Sequence, residues 1–589
     1  MAARALARVP AVRAKTSLVL ILLLAAVLIM RLGTVQIRDG PHLARLALAQ
    51  HDETVETFAR RGAILDRDGG VLVRSLPSES IYVVPGDVVD PAATARALAP
   101  VLHQPAAEIE IVLRDKSAFR WLARKVPHEM AERVQTLHLG GIATRGEETG
   151  RRFVESGRLA STVVGFTGTD ENGLDGIEYA FDGLLRGRPG RVRIESDELE
   201  RAAIPFGNTQ VLERAVPGTT LMTTLDPYLQ FESERLLRDA VKKWHAKSGT
   251  VIVMDPWSGE LLAVANVPDF DPAHFSASSS DDWRDRAVSD AYEPGSTFKL
   301  VTASAALESK RFRFNARFPA RNELVVGGRT IHNAEDGLMA ANNGTESIED
   351  IIAYSHNVGA AEMGMATGKR AMYMMLQRFG FGTPTQVDLP GENPGIVAPP
   401  DEWSGSQLAT ISFGHGISIT PLALIRAYAA IANGGLLMRP RITHALLDDQ
   451  GALVYLYPPE IERRVLSPAT AAILRRYLRA AVVRGTGNPT AQIAGYTTAG
   501  KTGTAQVVED GRYASGAYIA SFVGMIPAER PRYVILVKVE RPRGAIYGSV
   551  IAAPVFAELA RAAMFHAGIM PAAAPSRLVR RGGASKATH

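Results

Sequence analysis

The sequence predicts an α+β protein in which a β-sheet is flanked by helices, preceded by a segment of mixed α/β character and attached to an N-terminal apolar helix. Three observations predict it. Strand-like runs stand at both ends of the C-terminal part of the chain, helical segments lie between them, and the chain opens on basic residues followed by an uncharged apolar run. With 589 residues, 46% hydrophobic and 22% charged, the chain has the length for two or more folded units and the composition of a globular protein.

Taken in order, Arg4, Arg8, Arg13 and Lys15 precede the run from Leu18 to Met30, which carries no charge. That run alone is short of the ~20 residues a bilayer requires. Thr16, Ser17 and the stretch Leu32 to Ile37 extend it, with Arg31 able to snorkel to the headgroups. A cleaved signal peptide has a similarly short apolar core, yet Arg31-Leu32-Gly33-Thr34 offers no small-x-small cleavage site. The expectation is an uncleaved anchor over residues 16–37, the basic tail 1–15 in the cytoplasm and the rest of the chain outside.

From Gln36 to Val216 the texture is mixed. Gly62 to Gly70 and then Ile81 to Val84 read as strand, turn and strand, and Asp90 is the candidate N-cap of a helix from Pro91 to Leu102. A different texture starts near Thr220. Asp226-Pro227 opens a helix whose Leu229, Leu236, Leu237, Ala240, Val241 and Trp244 share one face, which should be buried. Thr250 to Met254 and Glu260 to Ala265 are strands separated by Asp255-Pro256-Trp257-Ser258-Gly259, a hairpin signal. Tyr533 to Glu540 is a further strand, and a helix follows Ala553-Pro554-Val555-Phe556. The Ala-, Arg- and Gly-rich stretch after Pro571 is expected to be disordered.

Composition excludes several functions. A net charge of +5, without basic clusters interleaved with aromatics, is not a nucleic-acid footprint. The chain has no cysteine, which excludes disulfides, a thiolate nucleophile and cysteine-ligated metal sites, and fits an exported protein.

Three motifs carry chemistry. In Glu293-Pro294-Gly295-Ser296-Thr297-Phe298-Lys299, Ser296 falls at the N-terminus of a predicted helix with Lys299 one turn on, on the same face. A serine hydroxyl is a weak nucleophile until a base takes its proton. A lysine can do so if burial or a second cation keeps it neutral. In Tyr354-Ser355-His356-Asn357-Val358-Gly359, the hydroxyl of Ser355 and the amide of Asn357 can point into one cleft from a short loop. In Ala499-Gly500-Lys501-Thr502-Gly503-Thr504, the alternating threonines suit a strand, Gly503 leaves room for another backbone, and a peptide can add to the strand edge. Lys501, Thr502 and Thr504 would then donate to a substrate carboxylate. A phosphate loop is excluded by the glycine spacing ahead of Lys501. Singly, each motif is equally a capping serine, a polar turn or an ordinary strand.

In this order, with about 60 and then about 150 residues between them, the motifs resemble the penicillin-binding protein and serine β-lactamase superfamily. Arg60 to Gly69, Gly165-Phe166-Thr167-Gly168 and Gly173 to Glu178 resemble class B, monofunctional penicillin-binding proteins. Ser412 to Pro421, Ala432-Asn433-Gly434-Gly435 and Ala552 to Phe556 do so as well. Ser-x-Asn-Val-Gly after an isoleucine-rich helix looks like the septal, division-type branch rather than the elongation-type one. The resemblance implies a transpeptidase domain over residues 219–570, with a largely antiparallel central sheet between helical layers. It stands on an elongated mixed α/β pedestal (the dimerisation-type domain) over residues 38–218, followed by a basic tail at 571–589. It also implies D,D-transpeptidation of peptidoglycan stem peptides through an acyl-enzyme, inhibition by β-lactams, and catalytic roles for Ser296, Lys299, Ser355, Asn357 and Lys501. Thr502, Gly503 and Thr504 would bind substrate, no metal or organic cofactor is expected, and division-complex partners would include a membrane glycosyltransferase.

The chain departs from the family at two places: Arg151-Arg152-Phe153-Val154-Glu155 replaces an Arg-x-Tyr-Pro-like stretch, and Asp285 replaces an asparagine ahead of Arg286-Ala287. His128-Glu129-Met130-Ala131-Glu132 lacks the second histidine of a zinc-protease motif and reads as a surface helix turn. Gly380-Phe381-Gly382 reads as a turn, and His415 is either a cleft or a structural residue. The rival readings are a D,D-carboxypeptidase or β-lactamase in which water resolves the acyl-enzyme, and a penicillin-binding sensor or division scaffold. Intact Ser296, Lys299 and Lys501 argue against a dead scaffold.

Overall fold

The computed structural model describes residues 3–43, 52–57, 59–155, 157–195, 210–334, 344–509 and 511–572, so the expected disordered tail lies almost wholly outside the described residues. By contact density the chain divides into two units, residues 1–59 with 188–216 and residues 60–187 with 217–589.

The first unit holds the N-terminal apolar helix. One helix runs from Ala3 to Gly33 and continues through a wider turn at Thr34–Arg38. Within Val12–Arg38 an 18-residue stretch has a mean hydropathy of 2.7 with none of it buried against protein, and the segment is long and apolar enough to cross a membrane. The same unit contains a three-stranded antiparallel sheet in the order Asp52–Thr57, Gly190–Glu195, Gln210–Glu213.

The second unit is built on two large sheets, beside three two-stranded ones. A five-stranded, wholly antiparallel sheet has the spatial order Leu261–Val267, Ser248–Met254, Tyr533–Glu540, Arg512–Ile526, Ala499–Glu509. Both of its faces are covered. Val251, Val253, Ile535, Val537 and Val539 join the core under the helices Pro227–Lys243 and Gly548–His566, while Ile252, Met254, Val534 and Leu536 face the other core. That two-sided burial explains why these strands read as continuous apolar runs rather than alternating ones. The second sheet takes strands from both sides of residue 218: Ile64–Leu65, Val71–Val83, Arg120–Val126 and Ile142–Val154 pair with one another, and Thr220–Thr223 and Thr443–Leu447 continue the sheet to Leu453–Leu456.

The predicted helix starts are present. Asp90 accepts from Ala93 N at 3.0 Å, and Asp226 accepts from Tyr228 N at 3.1 Å and Leu229 N at 3.0 Å. The last helix differs from expectation. It begins at Gly548 and carries Pro554 in its interior instead of starting after it. The proline forfeits one backbone bond. Burial of Ile551, Phe556, Leu559 and Ala563 against the sheet holds the helix across it.

Candidate active site

The nucleophile motif folds as a 3₁₀ turn, Gly295–Phe298, that feeds the helix Lys299–Glu308, rather than as the first turn of one α-helix. Two glycines explain the tight seat. Gly295 has φ +56°, and a side-chain carbon there would lie 2.9 Å from Thr504 O; one at Gly414 would lie 2.2 Å from Gly295 O. The turn is fastened by Thr297 Oγ1 donating to Pro294 O (2.7 Å) and Tyr428 Oη donating to Thr297 O (2.8 Å). Ser296 is half-buried, and Lys299 fully buried at 0% exposure.

The second motif sits at a helix–helix junction, not in a free loop. Ile348–Tyr354 ends on Ser355, whose φ of +63° is left-handed, and Asn357 opens the helix Asn357–Thr367. This reversal brings the motif onto the lysine. Lys299 Nζ lies 3.1 Å from Ser296 Oγ, 2.6 Å from Ser355 O, 3.1 Å from Ser355 Oγ and 2.8 Å from Asn357 Oδ1. Asn357 Nδ2 donates to His332 O at 3.0 Å.

The third motif occupies Ala499–Glu509, the outermost strand of the five-stranded sheet, so its free edge can receive an extended peptide. Gly503 makes room inward rather than for substrate: a side-chain carbon there would lie 2.4 Å from Ser521 Oγ and 2.9 Å from Thr297 Cγ2. The glycine lets the serine turn press on the strand. Lys501, 1% exposed, has its Nζ 3.5 Å from Thr486 Oγ1 and 3.2 Å from Thr502 O, and Thr486 and Thr502 hydroxyls are 2.7 Å apart. Ser355 is not among its hydrogen-bond partners in the described residues.

Ser296, Ser355, Asn357, Thr502 and Thr504 line one cavity of about 690 Å³, closed further by His415, Thr486 and Tyr547. Electrostatics there favour neutral amines. Burial, and then the charge of Lys501, drive Lys299 well below the ordinary lysine range, with Glu346 acting in the opposite sense. Burial brings Lys501 down to about 7. His415 is lowered to about 4 by burial and by the charges of Arg329 and Lys299, so it is neutral around pH 7. Its Nδ1 lies 3.2 Å from both Glu293 Oε2 and Tyr513 Oη, and Gly416 N donates to Glu293 Oε1 at 2.7 Å.

Sequence reasoning missed Thr486, Tyr547, Glu293 and Tyr513, none of which stands in a recognisable spacing. Glu293 carried the one available signal, since it opens the first motif. Among the described residues no group of three His, Asp or Glu side chains could hold a metal ion. His128 lies on the helix His128–Thr136, with Nε2 3.2 Å from Glu132, as the surface reading expects.

The penicillin-binding protein transpeptidase domain model matches residues 249–561, and the penicillin-binding protein dimerisation domain model matches residues 56–223. The chain is a class B penicillin-binding protein. Its relatives align with most of its length. It is 32% identical to stage V sporulation protein D of Bacillus subtilis over 575 residues, covering 96% of this chain and 88% of that one. It is 31% identical to the peptidoglycan D,D-transpeptidase FtsI of Escherichia coli over 545 residues, covering 91% and 88%. The crystal structure of penicillin-binding protein 3 of Mycobacterium tuberculosis complexed with aztreonam superposes with a TM-score of 0.68 at 30% identity, covering 88% of this chain and 99% of that one. As in that family, the penicillin-binding protein described here joins a transpeptidase fold and a dimerisation domain, and its N-terminal apolar helix fits a transmembrane helix.

Proposed function

We propose that this penicillin-binding protein is a peptidoglycan D,D-transpeptidase of septal cell-wall synthesis in which Ser296 is the acylated residue. The observation that carries the reading is the position of Lys299 Nζ, within 3.1 Å of Ser296 Oγ, Ser355 and Asn357 at once. A neutral amine has two N–H donors and one lone pair. Donation to the two shortest partners, Ser355 O and Asn357 Oδ1, leaves the lone pair for the Ser296 hydroxyl proton.

The stem peptide would add to the free edge of Ala499–Glu509 with its terminal carboxylate at Lys501, Thr502 and Thr504. Ser296 attacks the penultimate carbonyl. The backbone N–H groups of Ser296 and Thr504 receive the oxyanion, a contribution of about 3–4 kcal/mol in comparable sites; the close approach of the two segments, where a side-chain carbon on Gly295 would lie 2.9 Å from Thr504 O, supports that pairing. Lys299 passes the proton taken from Ser296 to the Ser355 hydroxyl, 3.1 Å away, as that hydroxyl gives its own proton to the nitrogen of the departing D-alanine. The amine of a neighbouring stem peptide then takes the acyl group and frees Ser296. Thr502 and Thr504 give specificity for a free carboxylate, and Gly503 keeps the strand against the nucleophile.

On this reading residues 1–15 lie in the cytoplasm, 16–37 cross the inner membrane, and the pedestal 38–218, the catalytic domain 219–570 and the tail 571–589 face the periplasm. Division-complex proteins, including a membrane glycosyltransferase, are the partners. The similarity to FtsI supports the septal assignment. Ser296→Ala should lose covalent labelling by a fluorescent penicillin, and mass spectrometry of the parent protein should find the β-lactam adduct on Ser296. Labelling that persists in the variant refutes the assignment.

A further inference from the structure

Behind the Ser355–Asn357 junction lies a buried hydrogen-bonded Glu346–His356 pair that the acylation steps leave unused. Glu346 and His356 are 1% and 5% exposed, and His356 Nδ1 is hydrogen-bonded to Glu346 Oε2. Glu346 belongs to the short strand Thr345–Ser347, and His356 is the residue between the two polar members of the second motif. Room for the carboxylate comes from Gly359: a side-chain carbon there would sit 2.2 Å from Glu346 Oε1 and 2.7 Å from Ile351 Cγ1. The carboxylate thus lies in the first turn of the helix Asn357–Thr367, where the helix dipole favours a negative charge. Glu346 Oε1 and His356 Nε2 are buried without a hydrogen-bond partner among the described residues. A buried charge held so sparingly costs stability, and its retention asks for a use.

We propose that Glu346, acting through His356, is a positioning residue of the acylation step: it clamps Ser355 and Asn357 onto Lys299 and stands as the carboxylate behind that amine. His356 stands between Ser355, held left-handed at φ +63°, and Asn357, the first helical residue, so anchoring its ring restrains the backbone that carries the oxygens Lys299 meets at 2.6 and 2.8 Å. The charge opposes the effect of Lys501, favouring the ammonium form of Lys299 where burial and Lys501 favour the amine. The other groups facing the pair are Glu362, 3.7 Å from Arg321, and the Tyr354 ring stacked 5.9 Å from His356 with the Arg484 guanidinium 5.2 Å from that ring.

The inference rests on Lys299 being the base, and the test separates the two. With the detergent-solubilised full chain, the second-order rate of acylation by a fluorescent penicillin is measured against pH. Lys299 as base gives a rate that rises with pH as its proton leaves. Glu346→Gln removes the charge that holds the proton, so that rise should move to lower pH by roughly 0.5 unit. His356→Ala should lower the plateau roughly tenfold without the same shift, and His356→Gln, which can still donate to Glu346, should recover most of it. Glu346→Asp keeps the charge and should keep the parental midpoint, which controls for a Glu346→Gln protein that folds poorly. A rising limb in Glu346→Gln superimposable on the parent's overturns the inference while leaving Lys299 as base. The absence of any rising limb in the parent, or acylation retained in Lys299→Met, overturns the base assignment instead.

Discussion

The chemistry of Lys299 and Lys501 is set by removal of water. Both side chains are at most 1% exposed, and a lysine charge without solvent is costly unless paired. Lys501, brought down to about 7, makes a signed prediction. Its folded value lies below that of the unfolded chain. The cost to stability is therefore fully present below about pH 7 and is relieved as pH climbs toward the ordinary lysine value of about 10.4. Lys501→Met should raise Tm at pH 6 by about 2 °C, a gain that shrinks by pH 9, while acylation falls about a hundredfold or more. Scanning calorimetry at both pH values, paired with penicillin labelling, checks it; an equal Tm change at both would remove burial of a titrating amine as the cause. At this scale the motifs themselves were legible, because the residue types at their spacings have few other joint uses. Thr486, Tyr513 and the Glu346–His356 pair were not, because each is defined by a neighbour more than nine positions away in the chain.

Among the elements, the site depends on how closely a 3₁₀ turn approaches an edge strand. Gly503 is the contact, and a methyl group there must displace Ser521, Thr297 or Pro294 O, the last at 3.2 Å. Gly503→Ala should cost about 1–3 kcal/mol of stability and slow acylation roughly a hundredfold by shifting Ser296 from the strand. Stopped-flow acylation and urea melts test this; unchanged acylation would mean that the strand does not position the serine. Caps and periodicity predicted the helices Pro91–Leu102 and Pro227–Lys243 because those signals are local. The start of Gly548–His566 was misplaced because a proline in a buried helix is outweighed by packing that no window of sequence contains.

In the second unit as a whole, strands from residues 64–154 share a sheet with strands at 220–223 and 443–456, so the two stretches fold against one another. A buried charge cluster secures the earlier stretch. Arg61 Nε donates to Glu178 Oε2 at 2.8 Å and its Nη1 to Asp182 Oδ1 at 2.7 Å, while Arg152 Nε, in the stretch that departs from the family pattern, donates to Glu178 Oε1 at 2.6 Å. Arg61→Ala leaves Glu178, 1% exposed, short of its main partner and should cost about 3–5 kcal/mol, read as a lower urea midpoint with acylation retained below it. An unchanged midpoint would make the cluster energetically idle.

The sequence by itself determined the N-terminal apolar helix, the pairing of a dimerisation with a transpeptidase domain and the three motifs, since hydropathy, caps and motif spacing are properties of neighbours along the chain. Only the tertiary structure decided that a serine turn, a left-handed helix junction and an edge strand meet around one amine. That meeting depends on backbone approach at Gly295, Gly359, Gly414 and Gly503 and on exclusion of water, which exist only after distant segments have packed.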